Sequence, residues 1–184
     1  MTTLRTARLE LVPLKPAAVA HLIQGDRAGA EKIIGATLPA EFPTFGDLAG
    51  FLPIQLDRMR ESPDRRDWMA RLMVSKRLEK NHEKSGEIIG HCGFHGPPDV
   101  IGRAEIGYTV FTAHRGQGYA KEAARALVEW AFAQGQREVF ATVAPNNQPS
   151  LAVVRSLGFI QVGTQEDEID GLELVFAVRS QNLV

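Results

Sequence analysis

His114-Arg115-Gly116-Gln117-Gly118-Tyr119-Ala120-Lys121-Glu122-Ala123 is the stretch that decides the fold. An alternating run, Ala104 to Thr112, leads into it. Ile106, Tyr108 and Val110 fall on one face of that run, and Glu105, Gly107 and Thr109 on the other. An amphipathic helix pattern leaves the stretch near Ala120. Ala120, Ala123, Ala124, Leu127, Val128 and Ala131 share one side; Lys121, Glu122, Arg125 and Glu129 lie largely opposite, and Gly135 ends the pattern. Strand, short Gly-rich turn and helix together aim several backbone N–H groups and a helix N-terminus at one point, a geometry that attracts phosphate. Gly116 and Gly118 let the backbone approach a ligand without Cβ atoms in the way, and Arg115 adds a permanent charge. The turn is neither Gly-x-Gly-x-x-Gly nor the Gly-Lys-Ser/Thr ending of a triphosphate loop. Taken alone, it reads equally well as a tight turn ahead of a helix.

Working outward, Glu87 to Phe94 and Trp68 to Val74 form two strand patterns that suit a hairpin, with the charged stretch Lys76 to Ser85 as an exposed connection. Gly96-Pro97-Pro98-Asp99 is loop chemistry. Further upstream, Leu9 to Leu14 alternates as a first strand, and Pro16 opens a helix carrying Val19, Leu22 and Ile23. A further helical turn or two over Glu31 to Leu38 is broken by Pro39 and Pro43. Between 44 and 67 the pattern suits one short helix with Phe51, Ile54 and Met59 partly inward, followed by a solvated charge run, Asp57 to Asp67. Downstream, Val139 to Val143 is a strand. Pro145 to Ser150 turns into a helix with Asn147 as N-cap and Leu151, Val154 and Leu157 as its apolar edge. Phe159 to Glu168 and Leu172 to Val178 are strands joined at Asp170-Gly171, a hairpin signal. The order predicts an α/β chain: a central mixed, mostly antiparallel, twisted sheet of about seven strands flanked by helices.

The 184 residues suit one domain, 1–184, without repeat or linker. With 44% hydrophobic and 23% charged residues, the chain can build a real core. A net charge of −1 argues against a broad nucleic-acid surface. No apolar run approaches the ~20 residues of a membrane span, and Met1 to Arg5 lacks the apolar core of a signal peptide. The single cysteine, Cys92, sits in an apolar strand as a structural thiol. These features place the protein in the cytoplasm. Dimerisation through exposed strands or helices is compatible with the pattern. His91-Cys92-x-x-His95 invites a metal reading, which the alternation of faces along a strand and the lack of a fourth ligand argue against. His114 reads as an exposed turn residue, and Trp68 and Trp130 as packing.

The strand Ala104-Glu105-Ile106-Gly107-Tyr108-Thr109-Val110 followed by Arg115-Gly116-Gln117-Gly118-Tyr119-Ala120 resembles the acetyl-CoA motif of the GNAT superfamily of N-acetyltransferases, Gln/Arg-x-x-Gly-x-Gly/Ala. Pro145-x-Asn147-x-x-Ser150-x-x-Val153 and then Leu157-Gly158-Phe159 match the family's second block. Thr6-Ala7-Arg8-Leu9-Glu10-Leu11 at the start and Asp170-Gly171-Leu172-Glu173-Leu174-Val175-Phe176 at the end are similar to the RimJ/RimL-type branch, which acetylates ribosomal-protein N-termini. The resemblance covers nearly the whole chain and speaks for the superfamily more than for any acceptor.

The resemblance implies an acetyl-CoA-dependent N-acetyltransferase without metal. An amine attacks the thioester carbonyl directly in a ternary complex, an oxyanion develops and a thiolate leaves. The implied pyrophosphate seat is the set of amides from Arg115, Gly116, Gln117, Gly118, Tyr119 and Ala120. In the family the strand ahead of the seat parts from the next one, so free backbone groups of Val110, Phe111 and Thr112 would bind pantetheine, with one N–H also serving the oxyanion. Asn147 would hydrogen-bond pantetheine. Glu105 is the first candidate for general base and equally an ordinary strand carboxylate; Glu168 is the second, although with Glu166 and Asp167 beside it the stretch reads rather as a solvated acidic run. The family's tyrosine acid falls at Val154, so Ser150 becomes the candidate partner of the sulfur, directly or through water, and otherwise a first-turn serine bonding local backbone. The acceptor would be a protein N-terminal amine or a small molecule. The missing tyrosine also motivates a rival, a catalytically weak or inactive acetyl-CoA-sensing module. A plain nucleotide-binding α/β protein is a third reading, disfavoured by the motif spacing.

Overall fold

The computed structural model describes residues 2–76, 86–167 and 171–182. Its strands are β1 (Leu4–Arg5), β2 (Leu9–Pro13), β3 (Ala70–Ser75), β4 (Ile88–Phe94), β5 (Arg103–Val110), β6 (Glu138–Val143), β7 (Ile160–Asp167) and β8 (Gly171–Arg179). Its α-helices are α1 (Pro16–Ile23), α2 (Arg27–Ile34), α3 (Leu52–Glu61), α4 (Tyr119–Ala133) and α5 (Gln148–Ser156). The strands form one sheet in the order β1-β2-β3-β4-β5-β6-β8-β7. Every neighbouring pair is antiparallel except β5 and β6, which run parallel. α4 makes the crossover between those two, as a parallel pair requires.

The sheet is mixed and mostly antiparallel, as expected, with eight strands in place of about seven. The additional one is β1, two residues that pair Leu4 with Leu11 and Arg5 with Glu10; a strand that short carries no period to read. β3 begins at Ala70, two residues later than the alternation suggested. Trp68 instead closes a 3-10 turn, Pro63–Trp68, and its ring packs 4.7 Å from Phe94 and 4.6 Å from Trp130. The expected connection Lys76 to Ser85 lies almost wholly outside the described residues.

Helices cover both faces. α4 and α5 bury Ala123, Ala124, Leu127, Val128, Ala131, Leu151 and Val154 against Leu9, Met73, Ile89, Ile106 and Val139. On the other face Val19, Leu22, Ala30, Leu52 and Met59 meet Leu72, Val74 and Ile88. Fully burying one such Leu or Val contributes about 1.5–3 kcal/mol, so both layers hold the sheet from the same elementary effect. Cys92 is buried in the first layer, and burial pushes its thiol up to about 12, which makes it an inert core residue.

α3 differs from expectation in its rotation. The buried positions are Leu52, Gln55, Leu56 and Met59, and Ile54 is 49% exposed. A 52/55/56/59 stripe is helical, but its second member is polar. Gln55 is tolerated there because its Oε1 accepts the Ala70 N–H at 3.1 Å. The helix is preceded by a π-helical turn, Asp47–Phe51, which swings Phe51 onto the sheet. No helix among the described residues is long and apolar enough to cross a membrane.

Candidate active site

The decisive feature is where β5 and β6 part. They pair only at Arg103 with Glu138, Ala104 with Val139 and Glu105 with Phe140. Beyond Glu105, β5 runs on to Val110 and β6 to Val143 without pairing to each other. On its other edge β5 stays paired: the His95 N–H donates to Glu105 O at 3.0 Å, and the Phe111 N–H to Ile89 O at 2.9 Å. Strand alternation therefore sends the backbone groups of Ile106, Tyr108 and Val110 into the wedge between β5 and β6. This corrects one expectation: the Phe111 N–H is consumed by β4 and is not free for a ligand. The Val110 carbonyl accepts from Arg115 Nε at 2.9 Å, which folds that guanidinium back over the wedge mouth. Thr112 opens a 3-10 turn, Thr112–His114, and its carbonyl accepts the Arg115 N–H.

The cradle follows. Gly116 and Gly118 have φ of 76° and 82°, a left-handed backbone that other residues adopt only with strain. The first helical bond of α4 runs from Glu122 N to Gly118 O. The amides of residues 116–121 find no acceptor among the described residues, so successive N–H groups and the positive end of a 15-residue helix face one spot. Nothing in the sequence pattern announced what braces this turn. Arg8 reaches across: Nε meets Glu122 Oε2 at 2.6 Å, Nη1 donates to Gln117 O at 2.9 Å, and the guanidinium lies 4.5 Å over the Tyr119 ring. The Arg8 N–H and the Thr6 hydroxyl both donate to Glu122 Oε1, at 2.8 and 2.5 Å. His114 is turned inward, its Nε2 3.7 Å from Glu87, and is not the exposed turn residue expected.

Burial pushes the Glu122 carboxyl up, but its bonds to Thr6 and Arg8 outweigh that and hold it below its ordinary 4.5. A carboxyl lowered by folding stabilises the fold above its unfolded value, and the contribution is lost as pH falls through the folded value. Glu122→Gln should therefore lower Tm at neutral pH by about 2–4 °C, for roughly 1 kcal/mol after allowing for the half-exposed Arg8. That difference should vanish in thermal melts run below the carboxylate range.

On the α5 side of the wedge, Asn147 caps the helix, its Oδ1 accepting the Ser150 N–H at 3.2 Å. Its side-chain NH₂ has no partner among the described residues. The Ser150 hydroxyl has no partner among the described residues, so it does not make the local backbone bond that would explain it away. Val154 is buried. Tyr108, which the sequence placed only as a strand residue, sends its hydroxyl to Ser150 O at 3.4 Å, and burial raises it to about 12. Its phenol thus stays protonated beside the wedge.

On the opposite, α3-side face, Glu105 sits at the point where the wedge closes. Its Oε1 accepts from Thr142 Oγ1 at 3.0 Å and lies 3.3 Å from His95 Nδ1. Burial pushes its carboxyl up; His95, Thr142 and Arg58 together pull it below the usual value. Arg58 is half-buried, and its guanidinium makes no hydrogen bond or ion pair among the described residues. His91 stacks 4.4 Å from Phe51 at 24°, and burial lowers its pKa. His91 and His95 share this face while Cys92 points into the core opposite. No group of three metal-type ligands occurs among the described residues. Glu168 lies outside the described residues.

The acetyltransferase (GNAT) domain family matches residues 8–160. The chain belongs to the GNAT acetyltransferase family. It is 37% identical over 86 residues to the uncharacterized N-acetyltransferase p20 of Bacillus licheniformis, covering 46% of this chain and 48% of that protein. The chain spans about half the length of the curated relatives it matches. Among solved structures, an acetyltransferase from Agrobacterium tumefaciens superposes with a TM-score of 0.62 at 26% identity, over 98% of this chain and 95% of that one. The ribosomal-protein-S5-alanine acetyltransferase of Vibrio fischeri shares the fold, with a TM-score of 0.67 at 16% identity over the whole of both chains.

In this GNAT domain the sequence-predicted residues fall into two groups. The Val110 backbone, the turn at residues 115–120, Asn147 and Ser150 stand along the wedge and the cradle, while Phe111 faces β4. Glu105 stands at the closed end of the wedge, on the other face of β5. The residues that sequence reasoning missed, Arg8, Glu122, His95, Thr142 and Tyr108, are all joined to it by contacts between distant segments.

Proposed function

We propose that this chain transfers the acetyl group of acetyl-CoA to a primary amine by direct attack in a ternary complex. The observation that carries the reading is the single course from the free amides at 116–121, along the unpaired edge of β5, to the carboxylate of Glu105. A phosphate-bearing donor with a long amide-containing arm fits such a course, and few other ligands need both ends of it. Acetyl-CoA supplies an activated thioester when bound. The chain does the rest. The cradle amides and α4 dipole neutralise pyrophosphate. The wedge-facing groups of Tyr108 and Val110, with the Asn147 amide, hold the pantetheine arm, and an N–H there faces the oxygen on which charge develops. Ser150, its hydroxyl unengaged, meets the sulfur. Glu105 supplies the negative charge that draws a proton away from the acceptor ammonium, which approaches from the α3 side between Phe51 and Arg58.

The acceptor is a protein N-terminal amine or a small amine; the likeness in fold to a ribosomal-protein acetyltransferase favours the first by analogy. The sensing-module alternative keeps one observation, the apolar Val154 at the position of the family's tyrosine. Incubation with acetyl-CoA and a panel of peptides and small amines, read by mass spectrometry, separates the two. The proposal expects an acetylated amine with stoichiometric CoA thiol. Saturable acetyl-CoA binding with no product across the panel would leave only the sensing module.

A further inference from the structure

Resting on that reading, we propose that His95 is the group that takes the proton from the acceptor amine, on Nε2, with Glu105 behind it holding Nδ1. Backbone pairing forces the two side chains together: the His95 N–H bonds Glu105 O, so both side chains rise from the same face of adjacent strands. Nδ1 lies 3.3 Å from Glu105 Oε1, and Thr142 Oγ1 holds that same oxygen at 3.0 Å. The carboxylate is thus fixed from two sides and aimed at one ring nitrogen.

The far nitrogen is placed by Gly107. A Cβ built on Gly107 would stand 2.5 Å from His95 Nε2. Gly107 has no left-handed φ to explain it; its missing side chain is what leaves room for the ring. Nε2 therefore lies over the β5 backbone at Gly107, two residues past Glu105, at the level where β5 and β6 have already parted. With the Nδ1 hydrogen turned to Glu105, Nε2 presents a lone pair to whatever stands there. The arrangement is a carboxylate–imidazole pair of the kind in which the acid fixes the tautomer and stabilises the imidazolium. Electrostatics agrees. A carboxyl held below its usual range is a weak direct base for an ammonium.

The step balances as follows. One proton leaves the ammonium for Nε2 and passes to water, since the ring is half-exposed. The amine nitrogen bonds to the acetyl carbon, the C–S bond breaks with its electron pair going to sulfur, and the remaining surplus N–H proton ends on the thiol.

The test uses the full chain with an acceptor found in the amine panel. His95→Ala and His95→Gln should each lower kcat by about 10²–10⁴-fold with unchanged acetyl-CoA affinity. Free imidazole in the buffer should restore part of the activity of His95→Ala and none of Glu105→Gln. The double variant His95→Ala/Glu105→Gln should lose little more than either alone, because the two act as a unit. Gly107→Ala, which displaces the ring and keeps both groups, should reproduce the kcat loss. A His95→Gln variant with wild-type melting and kcat within about threefold of wild type would overturn the inference, well outside the span of general-base effects. So would equal losses without imidazole rescue. Wild type with no turnover on any amine would instead sink the acetyltransferase reading itself.

Discussion

Glu105→Gln lowers kcat by about 10²–10⁴-fold and leaves KM for acetyl-CoA nearly unchanged, a loss as large as that expected at His95. The substitution keeps the shape and the Thr142 hydrogen bond, since an amide oxygen accepts as a carboxylate oxygen does. What it removes is the negative charge at the closed end of the β5/β6 wedge. The acceptor is an ammonium at neutral pH and must lose a proton before its nitrogen can attack. Without the charge the proton has no sink, whether it arrives directly or by way of His95. The donor is held elsewhere, by the cradle and the wedge-facing backbone, so its binding stays. Steady-state kinetics with the donor and acceptor varied separately checks this. A loss confined to KM for acetyl-CoA would instead place Glu105 in donor binding.

The second large effect is at the cradle. Gly118→Ala forces a Cβ onto a residue with φ of 82°, at a strain of about 1–2 kcal/mol. The new methyl would also approach Arg8 Nη2 at 3.5 Å, the guanidinium that braces the turn through Gln117 O and Glu122. The turn relieves the strain by rotating, and the amides then no longer converge. Acetyl-CoA affinity should fall by about tenfold or more, one factor of ten for each 1.4 kcal/mol withdrawn. Calorimetric titration measures it, with the melting temperature of the free protein falling by only a few degrees for the same strain. A free protein that melts lower yet binds acetyl-CoA as before would mean that the amides of this turn do not seat the donor.

How much of this was readable before folding depends on how local each feature is. The strand–turn–helix around Gly116 and Gly118 is contiguous, so period and glycine placement carried it. Asn147 as N-cap was readable for the same reason. Glu105 was legible as a face of β5 and, through the resemblance, as a candidate base, but its place at the closing point of the wedge was not, because that comes from where β6 leaves β5. The Thr6–Arg8–Glu122 brace joins residues more than a hundred positions apart and leaves no mark on either segment. His95 falls just past the end of β4, where alternation is no longer visible, and only the register with Glu105 brings it to the site. α3 misled through Gln55: a polar residue in the buried stripe made Ile54 look like the inward one, and the Ala70 N–H that satisfies Gln55 belongs to β3. Even the assignment of Phe111 to the free edge was a question of parity along the strand, settled by which neighbour its N–H meets.

A crystal structure with a non-hydrolysable acetyl-CoA analogue would place the donor directly. Pyrophosphate oxygens are expected on the amides of residues 116–121, the pantetheine arm along the open edge of β5 in place of a β6 partner, and the sulfur beside Ser150. The acetyl carbon should lie at the Gly107 level of the wedge, on the side of His95 and Glu105. An analogue seated anywhere else, or a wedge closed by β5 pairing to β6 along its length, would contradict this placement.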